Sequence, residues 1–358
     1  MLNFILGLVF SVCITAFILF TSKYHGKFSF DNNFDAIQKY HTKPTPRIGG
    51  IVIFISFLMV LLINEMLNAN TLYYHNLLLS VLLVFIVGTI EDLTKVITPM
   101  FRMLIFILST LLAIYIVKAM PAISYADFNY LNNLIFHYPI IGILLSLFCV
   151  VGLTNAYNII DGYNGLSSTM AIFNFLGFSI LAYLIHDFQI MNICLTLCGA
   201  LVGFLLFNYP GGKIFLGDGG AYTIGFIIAV LSIYFIHAHI GIVSPYAVLL
   251  MSIYPITEIG FSVYRRKFLH KTKGMQPDNM HLHQLIYHRC TPYNITNRNA
   301  RVMPLMLIFI IPQIILGIIF YSHTIISLFF LAIYIVCYIK TYFKIVKFRT
   351  PRLLKLRN

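Results

Sequence analysis

Apolar residues fill this chain in long runs, and polar residues interrupt them at short intervals. Eleven runs reach membrane length: about 2–21, 48–64, 76–90, 103–119, 138–154, 166–186, 189–207, 221–238, 244–263, 304–321 and 324–340. A helix needs roughly 20 apolar residues to cross a hydrocarbon core of about 30 Å. The pattern therefore predicts an all-α polytopic integral membrane protein with about 11 transmembrane helices. The first run has no Lys or Arg ahead of it and reads as a retained anchor rather than a cleavable signal. Residues 1–340 read as a single multi-span catalytic domain and 341–358 as a basic tail suited to an anionic membrane surface. No soluble domain, linker or internal repeat stands out.

Three interruptions have unusual content. Residues 155–167 read NAYNIIDGYNGLS, 88–93 read GTIEDL and 213–220 read KIFLGDGG. Polar groups after a membrane-length run are costly unless they sit at the water boundary or line a cavity. A plain polar turn explains any one of them. Three acidic loops able to meet on one side of a bilayer suggest an active site.

Composition narrows the class. The chain is 59% hydrophobic and 10% charged, with 24 Lys and Arg against 11 Asp and Glu. A nucleic-acid binder would carry its positive charge on a soluble basic domain. Here the charge lies in short loops, which points to anionic lipid head groups or phosphorylated substrates and away from nucleic acid. The six cysteines lie mostly in apolar runs and read as buried small residues, not a disulfide framework.

Charge also predicts orientation. With the N-terminus outside and the C-terminus cytoplasmic, the inside segments 22–47, 91–102, 155–165, 208–220, 264–303 and 340–358 hold 23 of the 24 Lys and Arg, leaving Lys118 outside. Glu65, Asp127 and Asp187 fall outside, and every motif-like segment falls inside.

The inside segments carry the candidate chemistry. HTKPTPRIGG at 41–50 presents His41, Lys43 and Arg47 at head-group depth, beside prolines that extend the backbone. These cations suit a lipid phosphate; ordinary flanking charge is the plainer reading. Glu91 and Asp92 are adjacent carboxylates at the unfavourable end of a helix dipole, an arrangement suited to a base or a metal site. Lys95, one turn on, is placed to offset Asp92 or hold a phosphate. Asn158 and Asp161 share a helical face and suit one cation, while Gly162 allows close approach of a nucleotide and Asn164 offers an amide. Asp218, between glycines at a helix start, reads either as a cap or as an Mg2+ ligand, and the N–H groups there suit phosphate oxygens. His281, His283 and Arg289 lie in PDNMHLHQLIYHR, 277–289. No Cys or nearby carboxylate completes a zinc site there, and a sugar diphosphate fits the histidines and arginine better.

Taken in order, these motifs resemble the polyprenyl-phosphate N-acetylhexosamine-1-phosphate transferases (glycosyltransferase family 4). The resemblance covers about 41 to 303. It rests on PTPRIGG, GTIEDLTK, NAYNIIDGYNGLS, FNYPGGKIFLGDGGAYTIGF and DNMHLHQL. It implies attack of undecaprenyl phosphate on a UDP-N-acetylhexosamine, releasing UMP with Mg2+ (or Mn2+) at the cytoplasmic face of a bacterial inner membrane. By the same resemblance Asp92, Glu91 and Asp161 are the catalytic candidates, and Asp218 and Asn158 the metal candidates. Lys95, Gly162, Asn164, Asn208, Phe215, His281, His283 and Arg289 would hold the nucleotide sugar. His41, Lys43 and Arg47 would hold the lipid phosphate. Gln284 and the missing HHHFE-like run favour the WecA-like branch over the muramoyl-pentapeptide branch. GlcNAc is then the default sugar, and O-antigen, capsule and teichoic acid are candidate products. A homodimer is compatible. The competing expectation is a transporter or flippase for a lipid-linked sugar, which would show mid-membrane charges and repeats.

Overall fold

The structure, a computed structural model, describes residues 1–31, 44–67, 69–269, 280–291 and 298–347. It is an all-α membrane protein. Among the described residues ten helical segments are long and apolar enough to cross a membrane, and a bent pair makes eleven. In chain order the helices are α1 (Leu2–Phe20), α2 (Ser22–Ser29), α3 (Gly49–Met66), α4 (Leu72–Thr94) and α5 (Pro99–Leu111). They continue with α6 (Asn129–His137), α7 (Pro139–Ile160), α8 (Leu166–Leu184), α9 (Phe188–Asn208) and α10 (Gly217–Ala238). The last five are α11 (Pro245–Met251), α12 (Ile253–Tyr264), α13 (Leu282–Cys290), α14 (Val302–Ile319) and α15 (Thr324–Val346). All eleven predicted runs are recovered, with boundaries moved by a few residues.

The departure is the ninth run. α11 and α12 meet at Ser252 with a 79° bend. The pair still joins both ends of the bundle. Ser244, the N-cap of α11, donates its N–H to the Tyr321 carbonyl between α14 and α15, whereas Arg265 after α12 reaches the Met280 carbonyl beside α13. α15 runs through Val346, so the first part of the expected tail continues that helix. Residues 348–358 lie outside the described residues.

Helix ends follow the local sequence. Thr98, Asp187 and Ser244 each accept a backbone N–H at the start of α5, α9 and α11, and proline takes the first position of α5 and α11.

α10 is the axis of the bundle: 83% of its span is buried, against 17% for α15. Glycines let its neighbours approach its first turn at backbone contact. A Cβ on Gly50 of α3 would stand 2.4 Å from the Gly220 nitrogen, and one on Gly88 of α4 would stand 2.5 Å from the Gly219 Cα. This closeness brings residues 47, 92 and 218 together.

Candidate active site

The segment 46–50 is laced to the loop before α10. Phe215 donates its N–H to the Pro46 carbonyl at 2.8 Å, and Gly49 and Gly50 donate to the carbonyls of Phe215 and Leu216 at 2.9 Å each. Phe215 therefore serves this lacing through its backbone. Gly217 follows with φ +77°, a conformation glycine adopts without strain, and a Cβ there would meet the Asp92 carboxylate at 2.5 Å.

Five predicted residues converge around that turn. Asp92 is buried, and its two oxygens accept the N–H groups of Asp218 and Gly219 at 2.7 and 2.8 Å. Arg47 places Nε 3.2 Å from Asp92 and Nη2 2.6 Å from Asp218. Asn158, in the last turn of α7, donates its amide to the same Asp218 oxygen at 2.7 Å. Asp161 caps the C-terminal end of α7, beside the Gly217 backbone. Burial pushes the Asp161 carboxyl above the usual carboxylate range. The Arg47 guanidinium opposes that rise, while Asp218 and Asp92 add to it.

Two expectations change here. The N–H groups that open α10 were expected to receive phosphate, but the Asp92 carboxylate already fills two of them. It satisfies the helix dipole from within the protein. The cation that meets Asp92 is Arg47, brought in from α3's leading segment, and Glu91 turns instead to its own loop, accepting the Ile97 N–H at 2.8 Å. Lys95 lies at the end of α4 with φ 57°.

The nucleotide candidates divide. Gly162 is exposed and open on the turn after Asp161. Asn164 donates its backbone N–H to Asn299 at 2.7 Å and its amide to the Pro210 carbonyl at 3.1 Å. Asn208 is buried and works as a latch. Its carbonyl accepts the Gly165 N–H at 2.7 Å, and its amide donates to the Ile214 carbonyl at 2.7 Å. Arg289 donates to the carbonyls of Ile345 and Val346, which pins the end of α15 to α13. His41 and Lys43 lie outside the described residues.

His281 and His283 are buried beside a group that sequence reasoning passed over. Glu258 of α12, 1% exposed, accepts from His281 Nδ1 at 3.0 Å and from the Leu282 N–H at 3.1 Å. His283 is 0% exposed, with Nδ1 2.9 Å from the Tyr254 hydroxyl. Tyr163, two residues past Asp161, stands edge-on to the His283 ring at 5.7 Å and joins the two clusters. Glu258 escaped notice because it sits inside an apolar run and meets its partners only through the fold.

Asp218 and Asn158 offer oxygen donors, which suit a hard cation such as Mg2+. Three carboxylates (Asp92, Asp161 and Asp218) surround the single Arg47 guanidinium, a donor set that favours a divalent cation. Among the described residues no three His, Cys, Asp or Glu side chains form a metal-holding group by themselves. A cation here would need substrate oxygens to complete its shell, as Mg2+ commonly does.

Comparison with known proteins adds the following. A family profile described as glycosyl transferase family 4 matches residues 74–236. A phospho-N-acetylmuramoyl-pentapeptide-transferase of Streptococcus agalactiae is 33% identical over 214 residues, covering 56% of this chain and 62% of that protein. A probable undecaprenyl-phosphate N-acetylglucosaminyl 1-phosphate transferase of Bacillus subtilis is 25% identical over 261 residues, covering 73% and 70%. The matched stretch thus spans less than two thirds of the streptococcal relative. Both substrate branches of the resemblance are represented.

Proposed function

The chain belongs to glycosyl transferase family 4, and from that premise we propose that it transfers an N-acetylhexosamine-1-phosphate, GlcNAc-1-phosphate by default, from a UDP-sugar to undecaprenyl phosphate. UMP and undecaprenyl-diphosphate-sugar are the products, and the step opens assembly of a cell-surface glycan. The carrying observation is the convergence of Arg47, Asp92, Asn158, Asp161 and Asp218, from four separate parts of the chain, on one turn.

Phosphoryl transfer needs positioning and charge neutralisation more than covalent chemistry. Asp218 and Asn158 would hold Mg2+, which when bound supplies charge neutralisation at the diphosphate. Arg47 holds Asp92 and Asp218 apart from each other's charge and stands partly open, in reach of a lipid phosphate. Asp92, with both oxygens on backbone N–H groups, fixes the turn that carries Asp218. Asp161, half-buried at the end of α7, is the carboxylate assigned here to take a proton from the lipid phosphate. His281, held by Glu258, is the group assigned to the sugar diphosphate. The excess of Lys and Arg in the segments at this end supports a cytoplasmic facing, toward the nucleotide sugar. No observation favours the transporter reading.

The test uses purified protein in detergent with undecaprenyl phosphate, Mg2+ and a panel of UDP-N-acetylhexosamines including the muramoyl-pentapeptide donor. UMP release with one donor, abolished by EDTA and restored by Mg2+, is expected. Folded protein that releases no UMP with any donor contradicts the reading.

A further inference from the structure

Glu258 occupies a position that hydrophobic packing alone would not select. It is a carboxylate 1% exposed in the middle of α12, six residues past the 79° bend at Ser252. Burying an ionisable group is costly unless partners compensate it. Its partners come from one short segment: His281 Nδ1 at 3.0 Å and the Leu282 N–H at 3.1 Å, both on Oε1. Its Oε2 lies 3.7 Å from His283 Nδ1, too long for a hydrogen bond, and has no hydrogen-bond partner. His283 Nε2 is likewise buried without one. The two imidazoles stack in parallel, with centroids 5.4 Å apart and planes within 2°. Leaving buried polar atoms unmatched is costly, and a purely structural pin would match them or replace them with apolar groups.

The geometry fixes more than location. The His281 ring is held from two sides, with Nδ1 3.0 Å from Glu258 and the Gln284 backbone N–H donated to the ring as well. A carboxylate behind an imidazole commonly sets the ring plane in this way. Gln284 and Arg265 reinforce the setting. The Gln284 side chain accepts the His281 N–H at 3.0 Å, and Arg265 clasps the Met280 carbonyl and the Tyr342 hydroxyl. α12, α13 and α15 thus converge to hold one histidine still.

We propose that Glu258 is a positioning residue of the transfer reaction, holding the His281 imidazole in place for the diphosphate of the nucleotide sugar. This rests on the transferase reading above. Glu258 touches neither substrate in this arrangement and acts through the imidazole.

The test uses full-length protein, undecaprenyl phosphate, Mg2+ and the UDP-sugar that the unaltered protein accepts. E258Q keeps the shape of the side chain but loses the charge that holds the imidazole. It is expected to raise the KM for the UDP-sugar about tenfold while the KM for undecaprenyl phosphate stays within about twofold. E258D, which keeps the charge, recovers part of the loss, and E258Q adds nothing further in an H281N background. A UDP-sugar KM unchanged in E258Q overturns the proposal. So does an equal rise in both KM values with a lowered Tm that E258D fails to restore, because that is the mark of a structural pin. If E258Q does not fold, E258D and H281N carry the comparison: unequal KM values for the two substrates support the proposal and equal ones overturn it. Absence of UMP release by the unaltered protein instead defeats the transferase reading, and the two failures are told apart in one assay.

Discussion

Each end of the bundle holds at least three acids, and the two ends use them in opposite ways. At the end away from the motifs, the acids stand apart. Glu65 pairs with His75, Asp187 caps α9 and meets His239 at 3.0 Å, and Asp127 meets Tyr125 and Thr324. Each has its own neutral or titratable partner, and each ties one connection to its neighbours. At the motif end, Asp92, Asp161 and Asp218 crowd about one guanidinium. Like charges gathered under cover work against folding. The far end shows that this chain can satisfy acids singly, so their gathering at the other end reflects function.

The comparison breaks most readily at the helix contact that permits the gathering. G50V should force α3 off α10, because a Cβ at that position meets the Gly220 nitrogen at 2.4 Å. UMP release is expected to vanish, and stability to fall by about 3 kcal/mol or more, read as a drop in Tm. R47K keeps the charge but loses the fork that reaches two carboxylates at once. It should lower kcat/KM about 10–100-fold and cost about 1–3 kcal/mol, with one acid left without its partner. Either variant with unaltered activity would mean that the cluster is only a joint.

A smaller effect comes from His283. Burial lowers its imidazole below the ordinary value of 6.5, with Glu258 opposing. The folded state then binds fewer protons than the unfolded chain below that value. The stability His283 contributes is therefore present above about pH 6.5 and is lost as pH falls, by at most about 1.4 kcal/mol per pH unit. Tm measured from pH 7.5 down to 5.5 should fall, and H283N should flatten that part of the decline. The smallest effect belongs to the far end. E65Q keeps a hydrogen-bonding side chain toward His75, so it should leave UMP release unchanged and shift stability by about 1 kcal/mol or less.

These contrasts also explain what was legible in the sequence. The spans were, because a bilayer demands long apolar runs and marks their cytoplasmic ends with Lys and Arg. The break at Ser252 was not, since one serine and Pro255 are tolerated inside a transmembrane helix and do not by themselves mark a bend. The acids of the main cluster were legible because each lies in a short polar motif where a span ends or begins. Their division of labour was not. Asp92 looked like a reacting group until its oxygens were found on the N–H groups that open α10, and Asn208 like a ligand until both halves of its amide were found on backbone. Arg289, read as a diphosphate contact, turns to the end of α15. Glu258 was not legible, because it sits in an apolar run and its histidine partners lie in a distant segment.

The most direct test compares one acid from each end in the same assay. D218N and D187N would be purified alongside the unaltered protein and followed for UMP release and Tm. D218N is expected to lose about 100-fold or more of the activity with its fold retained, while D187N, which keeps a capping side chain, stays near full activity. Full activity in D218N, or equal loss in both, would contradict the account.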